Sequence, residues 1–106
     1  MKIAVTSQNR KTVTEHAGRC RRFWIYSVED DKVTDKQLLE LSKEESFHDS
    51  DPHQPHPLDG VDILLTQGSG SGLAQRLARK GIHLLVTEQS DPDQAVQTCL
   101  AEATTH

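Results

Sequence analysis

The order of apolar strand, glycine turn, helix and apolar strand between Val61 and Thr87 constrains this chain more than any other feature. Val61 to Thr66 is a mostly apolar run of strand length, of the kind a sheet buries on both faces. Gln67-Gly68-Ser69-Gly70-Ser71-Gly72 leads from it into a segment where Leu73, Ala74, Leu77 and Ala78 share one helical face and Arg76, Arg79 and Lys80 take the other. Gly81 is the helix stop, and Ile82 to Thr87 is a second apolar strand. Strand, crossover helix and strand in this order demand a sheet with a parallel part. Lys2 to Thr6 reads as a further buried strand. Phe23 to Val28 is another, and Glu29-Asp30-Asp31 turns it back into a partner within Lys32 to Leu41, which makes a hairpin. Asp91, Pro92 and Gln94 begin a last helix in capping-box fashion, with Ala95, Val96, Cys99, Leu100 and Ala103 as its buried stripe. If the hairpin strands alternate in direction, the first and third strands run the same way as the two that begin at Val61 and Ile82. The result is an α/β protein with a mixed sheet.

Length and composition exclude several classes. At 106 residues the chain makes one domain, 1–106. Its longest apolar run, Phe23 to Tyr26, is far below the roughly 18 residues of a membrane span. Met1 to Val5 reads as a strand, not as the apolar region of a signal peptide, so a cytoplasmic protein with no membrane partner is expected. Its two cysteines, Cys20 and Cys99, are too few for a disulfide scaffold and are expected to stay reduced. A formal charge of −4 argues against nucleic acid as a partner, although Arg10, Lys11, Arg19, Arg21 and Arg22 all fall in the first quarter.

The candidate site begins in the loop after the first strand. His16-Ala17-Gly18-Arg19-Cys20, followed by Arg21-Arg22, puts an imidazole, a thiol and three cations within seven residues. Imidazole and thiolate suit soft or borderline metals, and arginines lower a thiol's pKa and neutralise an arriving anion. The same residues can also be ordinary loop residues beside a solvated strand end. This loop and the glycine-rich turn both leave C-terminal strand ends, so they meet at one rim if those strands are neighbours; that rim is where open α/β sheets bind ligands. Gly68, Ser69, Gly70, Ser71 and Gly72 offer backbone N–H donors there. The turn lacks the third glycine of a dinucleotide fingerprint, Leu73 standing in its place, and only Glu88 supports that alternative. Lys43 to Pro57 has no helical period and three prolines, and residues 43–58 are expected to form a mobile crossover of few apolar contacts. His48, His53 and His56 within it are secondary metal candidates, while Cys99 belongs to a helix core.

Taken together, Met1 to Thr6, the His16-Ala17-Gly18-Arg19-Cys20 motif, Phe23-Trp24-Ile25-Tyr26, and Gly60-Val61-Asp62 through Gly68 and Gly72 to Lys80-Gly81-Ile82 resemble the nitrogenase iron-molybdenum cofactor biosynthesis family. This family of small accessory and carrier proteins includes the molybdenum-copper orange protein. The likeness covers nearly the whole chain except Lys43 to Leu58. It implies a ribonuclease H-like three-layer α/β fold, a five-stranded sheet of order 3-2-1-4-5 and no nuclease activity. It also implies a metal-sulfur cluster, of iron-molybdenum or related molybdenum type, bound reversibly, with cluster-assembly proteins as partners. The family's candidate ligand falls on His16, and Ala17 replaces the usual aromatic residue. We therefore expect a non-enzymatic carrier, monomeric or weakly dimeric. His16 and Cys20 would ligate, Arg19, Arg21 and Arg22 would screen charge, and Gly18 and the glycine-rich turn would border the cargo. The alternatives are a small hydrolase or transferase with Cys20 as nucleophile and His16 as base, and a non-catalytic interaction module.

Overall fold

A computed structural model of the chain describes residues 1–51, 53–68 and 72–104, the side chains of residues 103 and 104 excepted. The elements are β1 (Lys2–Thr6), β2 (Arg22–Glu29), β3 (Lys32–Glu40), β4 (Ile63–Thr66), α1 (Leu73–Ala78), β5 (His83–Val86) and α2 (Pro92–Thr104), with a 3₁₀ turn at Lys43–Glu45. They form one five-stranded sheet of order β3-β2-β1-β4-β5. β1 pairs antiparallel with β2 and parallel with β4; β2 pairs antiparallel with β3, and β4 parallel with β5. This is the mixed α/β sheet that the sequence order and the resemblance predict.

Alternation along the strands divides the core in two. Ile3, Val5, Tyr26, Val28 and Leu65 pack beneath α2 against Ala95, Val96, Cys99 and Leu100. Ala4, Phe23 and Leu64 face the opposite side, where Leu73 and Leu77 of α1 join Phe47 and Leu58. Successive residues of β1 thus serve different layers, as the two-residue period of a strand requires. Asp91 starts α2 as expected, its carboxylate accepting the Asp93 N–H at 2.9 Å and its carbonyl the Ala95 N–H at 2.9 Å. α1 closes on Gly81, at φ +79°, with the Ile82 N–H on the Leu77 carbonyl and the Gly81 N–H on the Ala78 carbonyl. That six-to-one, five-to-two pattern is a Schellman closure, which needs the left-handed residue.

Two expectations are corrected. Ala74 and Ala78 are exposed; so short a helix buries only the Leu73 and Leu77 pair. More consequentially, the segment 43–58 has a substantial apolar anchor. Phe47 and Leu58 are core residues, and the His56 ring stacks on Phe47 with centroids 4.4 Å apart. Phe47 meets Phe23 edge-on at 6.3 Å. Hydrogen bonds then tie the segment to α1 and the turn after it: Lys80 Nζ donates to the Gln54 carbonyl at 3.1 Å, and Arg76 to the Phe47 carbonyl and to Ser50 Oγ.

Candidate functional site

Parallel pairing of β1 with β4 places the C-terminal ends of both strands side by side, and the loops leaving them are stitched together. The Thr6 and Thr66 hydroxyls lie 3.0 Å apart and both reach the Thr14 carbonyl, at 2.6 and 3.1 Å. The Ala17 N–H donates to the Gly68 carbonyl at 3.2 Å. The two sequence features expected at one rim are therefore in contact.

Local geometry decides which side chains of the His16 loop face solvent. His16 adopts φ +58°, and its carbonyl accepts from the Arg19 N–H at 2.9 Å and the Cys20 N–H at 3.0 Å. This tight turn drives Ala17 and Cys20 into the core and leaves the His16 side chain 84% exposed, 4.0 Å from the Glu15 carboxylate. Cys20, expected to ligate with its pKa lowered by the arginines, is 3% exposed and its Sγ donates to the Arg22 carbonyl at 3.0 Å. Burial pushes its thiol up, more than the hydrogen bonds to Arg22 and Ser7 and the Arg22 charge pull it back. Cys20 is thus a packed core residue in this conformation. Among the described residues no hydrogen bond joins the Cys20 thiol to the His16 imidazole, so the nucleophile and base of a Cys/His hydrolase are not assembled. Cys99 lies in the core under α2, as expected, and burial raises its pKa too.

A cleft of about 370 Å³ opens beside His16. Gly18 and Arg19 line it from the first loop, Phe47 and His48 from the crossover segment, and Gly72, Leu73 and Arg76 from the start of α1. The His48 N–H donates to the Gly18 carbonyl at 2.6 Å, so two histidines from distant stretches border one space. Arg76 joins its walls. The guanidinium sits 5.4 Å over the Phe47 ring, one terminal nitrogen bonds the Phe47 carbonyl, and the other bonds Ser50 Oγ at 2.8 Å. Its Nε is buried and has no hydrogen-bond partner among the described residues.

The other expected site residues fall elsewhere. Arg21 donates from Nε to the Leu41 carbonyl, and Arg22 donates to the Gln8 carbonyl with Nε 3.9 Å from Glu40, so neither lines the cleft. Gly68 takes the Ala17 N–H on its carbonyl and is not among the residues lining the cleft. Ser69, Gly70 and Ser71 lie outside the described residues. His53 borders a neighbouring groove. His56 is spent on structure: Nε2 lies 2.5 Å from the Glu45 carbonyl and Nδ1 accepts the Leu58 N–H at 3.0 Å. Glu88 lines a separate cleft between β5 and α2. Among the described residues, no three His, Cys, Asp or Glu side chains converge as a metal-binding set. Sequence reasoning missed Phe47, Leu73 and Arg76 as site residues. Phe47 had a signal, being the one aromatic residue in the polar stretch from Lys43 to Pro57; Arg76 had none, because a cation on a helix face reads as solvated.

Comparison with known proteins places this geometry among relatives. A family model described as dinitrogenase iron-molybdenum cofactor matches residues 1–102. No curated protein matches the chain. Among solved structures, PH0822 superposes with a TM-score of 0.78 at 20% identity, covering 96% of this chain and 90% of that one. A candidate dinitrogenase from Methanocaldococcus jannaschii gives 0.74 at 14% identity, with 96% and 89% covered. A candidate NifB protein from Thermotoga gives 0.59 at 18%, with 98% and 86% covered. These likenesses establish the shared fold. No helix among the described residues is long and apolar enough to cross a membrane.

Proposed function

Because the chain belongs to the dinitrogenase iron-molybdenum cofactor family, we propose that it binds and carries a metal-sulfur cluster, of iron-molybdenum or related molybdenum type, in the cleft beside His16. The observation that carries this reading is the exposed His16 imidazole at a cleft whose other walls include His48 and the guanidiniums of Arg19 and Arg76. A sulfide-bridged cluster is an anion that brings most of its own ligands, so it asks a carrier for one or two borderline donors and for positive charge. Few protein ligands also let the cargo leave. A bare ion held by protein side chains alone fits less well, since no third donor joins the two histidines among the described residues. His16 is the first ligand in this reading and His48 the second. Cys20 would have to leave the core to take part. The reading assigns the protein no catalytic step, and proteins that assemble the cluster are its natural suppliers.

The test replaces the imidazole without disturbing the turn. Asparagine tolerates the left-handed conformation at position 16 better than alanine does. His16→Asn is expected to weaken binding of tetrathiomolybdate and of a synthetic molybdenum-iron-sulfur cluster by about tenfold or more, with the apo protein's thermal midpoint nearly unchanged. Equal metal occupancy in the two proteins removes His16 as the ligand.

A further inference from the structure

We propose that the basic groove on the outer side of α1 is a docking surface for an acidic segment of a partner protein. The chain carries a formal charge of −4, yet this groove of about 330 Å³ is bordered by His53, Gln75, Arg76, Arg79 and Lys80, with no carboxylate among its described lining residues. Its cations are only partly neutralised. Lys80 Nζ is 2.8 Å from Asp59, an ion pair that holds the Asp59 carboxyl below its ordinary range. Arg76 bonds a carbonyl and a hydroxyl, neither of which carries charge. Arg79 is exposed and makes no ion pair with a carboxylate among the described residues. Asp51, whose carboxylate accepts the N–H of the lining residue His53 at 2.8 Å, is the other nearby carboxylate; against Asp59 and Asp51, three cations leave a local excess of positive charge on an acidic protein.

The chemistry of these groups selects the occupant. Guanidinium forks match carboxylates with paired hydrogen bonds, and Arg76 of α1 and Arg79, its C-cap residue in helical conformation, stand three residues apart on neighbouring turns, so an extended acidic segment can meet both. A nucleic acid demands a longer basic face than three cations on a net acidic chain. The groove also shares Gly72 and Arg76 with the cleft beside His16. A partner carboxylate that engages Arg76 competes with the Phe47 carbonyl and Ser50 for the same guanidinium. Docking therefore loosens the wall of the cleft, and on the carrier reading it weakens the hold on cargo through a coupling that works equally in the other direction. The docking surface itself does not depend on that reading.

The experiment uses the intact apo protein and a fluorescently labelled octaglutamate peptide, followed by anisotropy at 50 and 200 mM salt. Binding should weaken with salt, fall about fivefold or more in Arg79→Glu and fall less in Arg79→Gln. Lys32→Glu, with the same change of net charge at the far end of the β2–β3 hairpin, should bind as the unaltered protein does. Absence of binding, an equal loss in Lys32→Glu, or complete competition by millimolar inorganic phosphate overturns the proposal. Tetrathiomolybdate binding at 200 mM salt provides the remaining arm. Arg79→Glu should leave it intact, and a parallel loss would make the groove part of the cargo site instead. Failure of His16 as ligand would appear only with the molybdenum probe, so the two readings fail separately.

Discussion

Whether a thiol ligates or reacts is decided by the few atoms around its sulfur. Cys20 sits four residues from His16 and beside two arginines, and that spacing alone favours a thiolate. The structure reverses it through one backbone feature: the His16 carbonyl collects two N–H groups in a left-handed turn, which rotates Ala17 and Cys20 inward and His16 outward. The motif was legible in the sequence, but its facing was not, because a loop has no period from which to read in and out. The two thiols should therefore behave unlike a reactive pair. Both have raised pKa values caused mainly by burial, Cys20 is 3% exposed, and Cys99 is 9% exposed at the wall of the cleft between β5 and α2. Iodoacetamide at neutral pH is expected to modify Cys99 before Cys20 in the folded apo protein, with both reacting slowly until urea unfolds the chain. Peptide mapping that finds Cys20 labelled first would mean that the loop opens in solution and that the thiol is available to a metal after all.

At the scale of elements, the crossover segment is the piece that sequence reading understated. Strands and helices announced themselves by period, by caps and by Gly81; the segment 43–58 announced its prolines and charges, with Phe47 the one hint of an anchor. Its fixation depends on a few anchors separated in sequence, Phe47, His56 and Leu58, whose joint burial no local pattern encodes. His56 makes this packing sensitive to pH. In the folded chain burial disfavours charging the ring, and the charges of Arg76 and Lys80 oppose it further, against the Glu45 carbonyl and the Asp59 carboxylate that favour it. Its folded pKa is thus below the ordinary histidine value of about 6.5. As pH falls through that value the unfolded chain takes up the proton first, so stability declines until the folded ring also protonates. Asp59, Glu45 and Asp93 are all held below the ordinary carboxylate range, so their stabilisation persists through this window and is lost only at more acidic pH. His56→Gln, which keeps an amide able to hydrogen-bond, should start less stable at pH 7.5 but lose less stability between pH 7 and 5. Urea melts across that range check it, and parallel slopes for the two proteins would mean that the ring is not neutral in the fold.

At the scale of the molecule, two cores share one thin support. β1 gives Ile3 and Val5 to the layer under α2 and Ala4 to the layer under α1, so neither layer can dissolve without removing a face of the other's central strand. The site depends on the same strand, because the His16 loop hangs from its end and is clasped to the end of β4. This arrangement predicts a single cooperative unfolding unit. Tyr26 offers a clean probe, being buried in the α2 layer with its hydroxyl donating to Asp93 at 2.6 Å, while Lys36 meets the same oxygen at 2.8 Å. Burial and the Asp93 hydrogen bond raise the Tyr26 pKa, and the lysine and the phenol together lower that of Asp93. Tyr26→Phe removes the hydrogen bond, keeps the ring, and leaves Asp93 a lysine and water as partners. A cost of about 1 kcal/mol is expected, because the acceptor is charged but largely solvated. Trp24 fluorescence reports the α2 layer, and amide exchange at Leu77 reports the α1 layer on the other side of the sheet. Both should record the same loss, since breaking one layer strips β1 from the other. A loss confined to Trp24, with Leu77 protection unchanged, would show that the layers unfold separately and that the cleft beside His16 can outlive the α2 side of the fold.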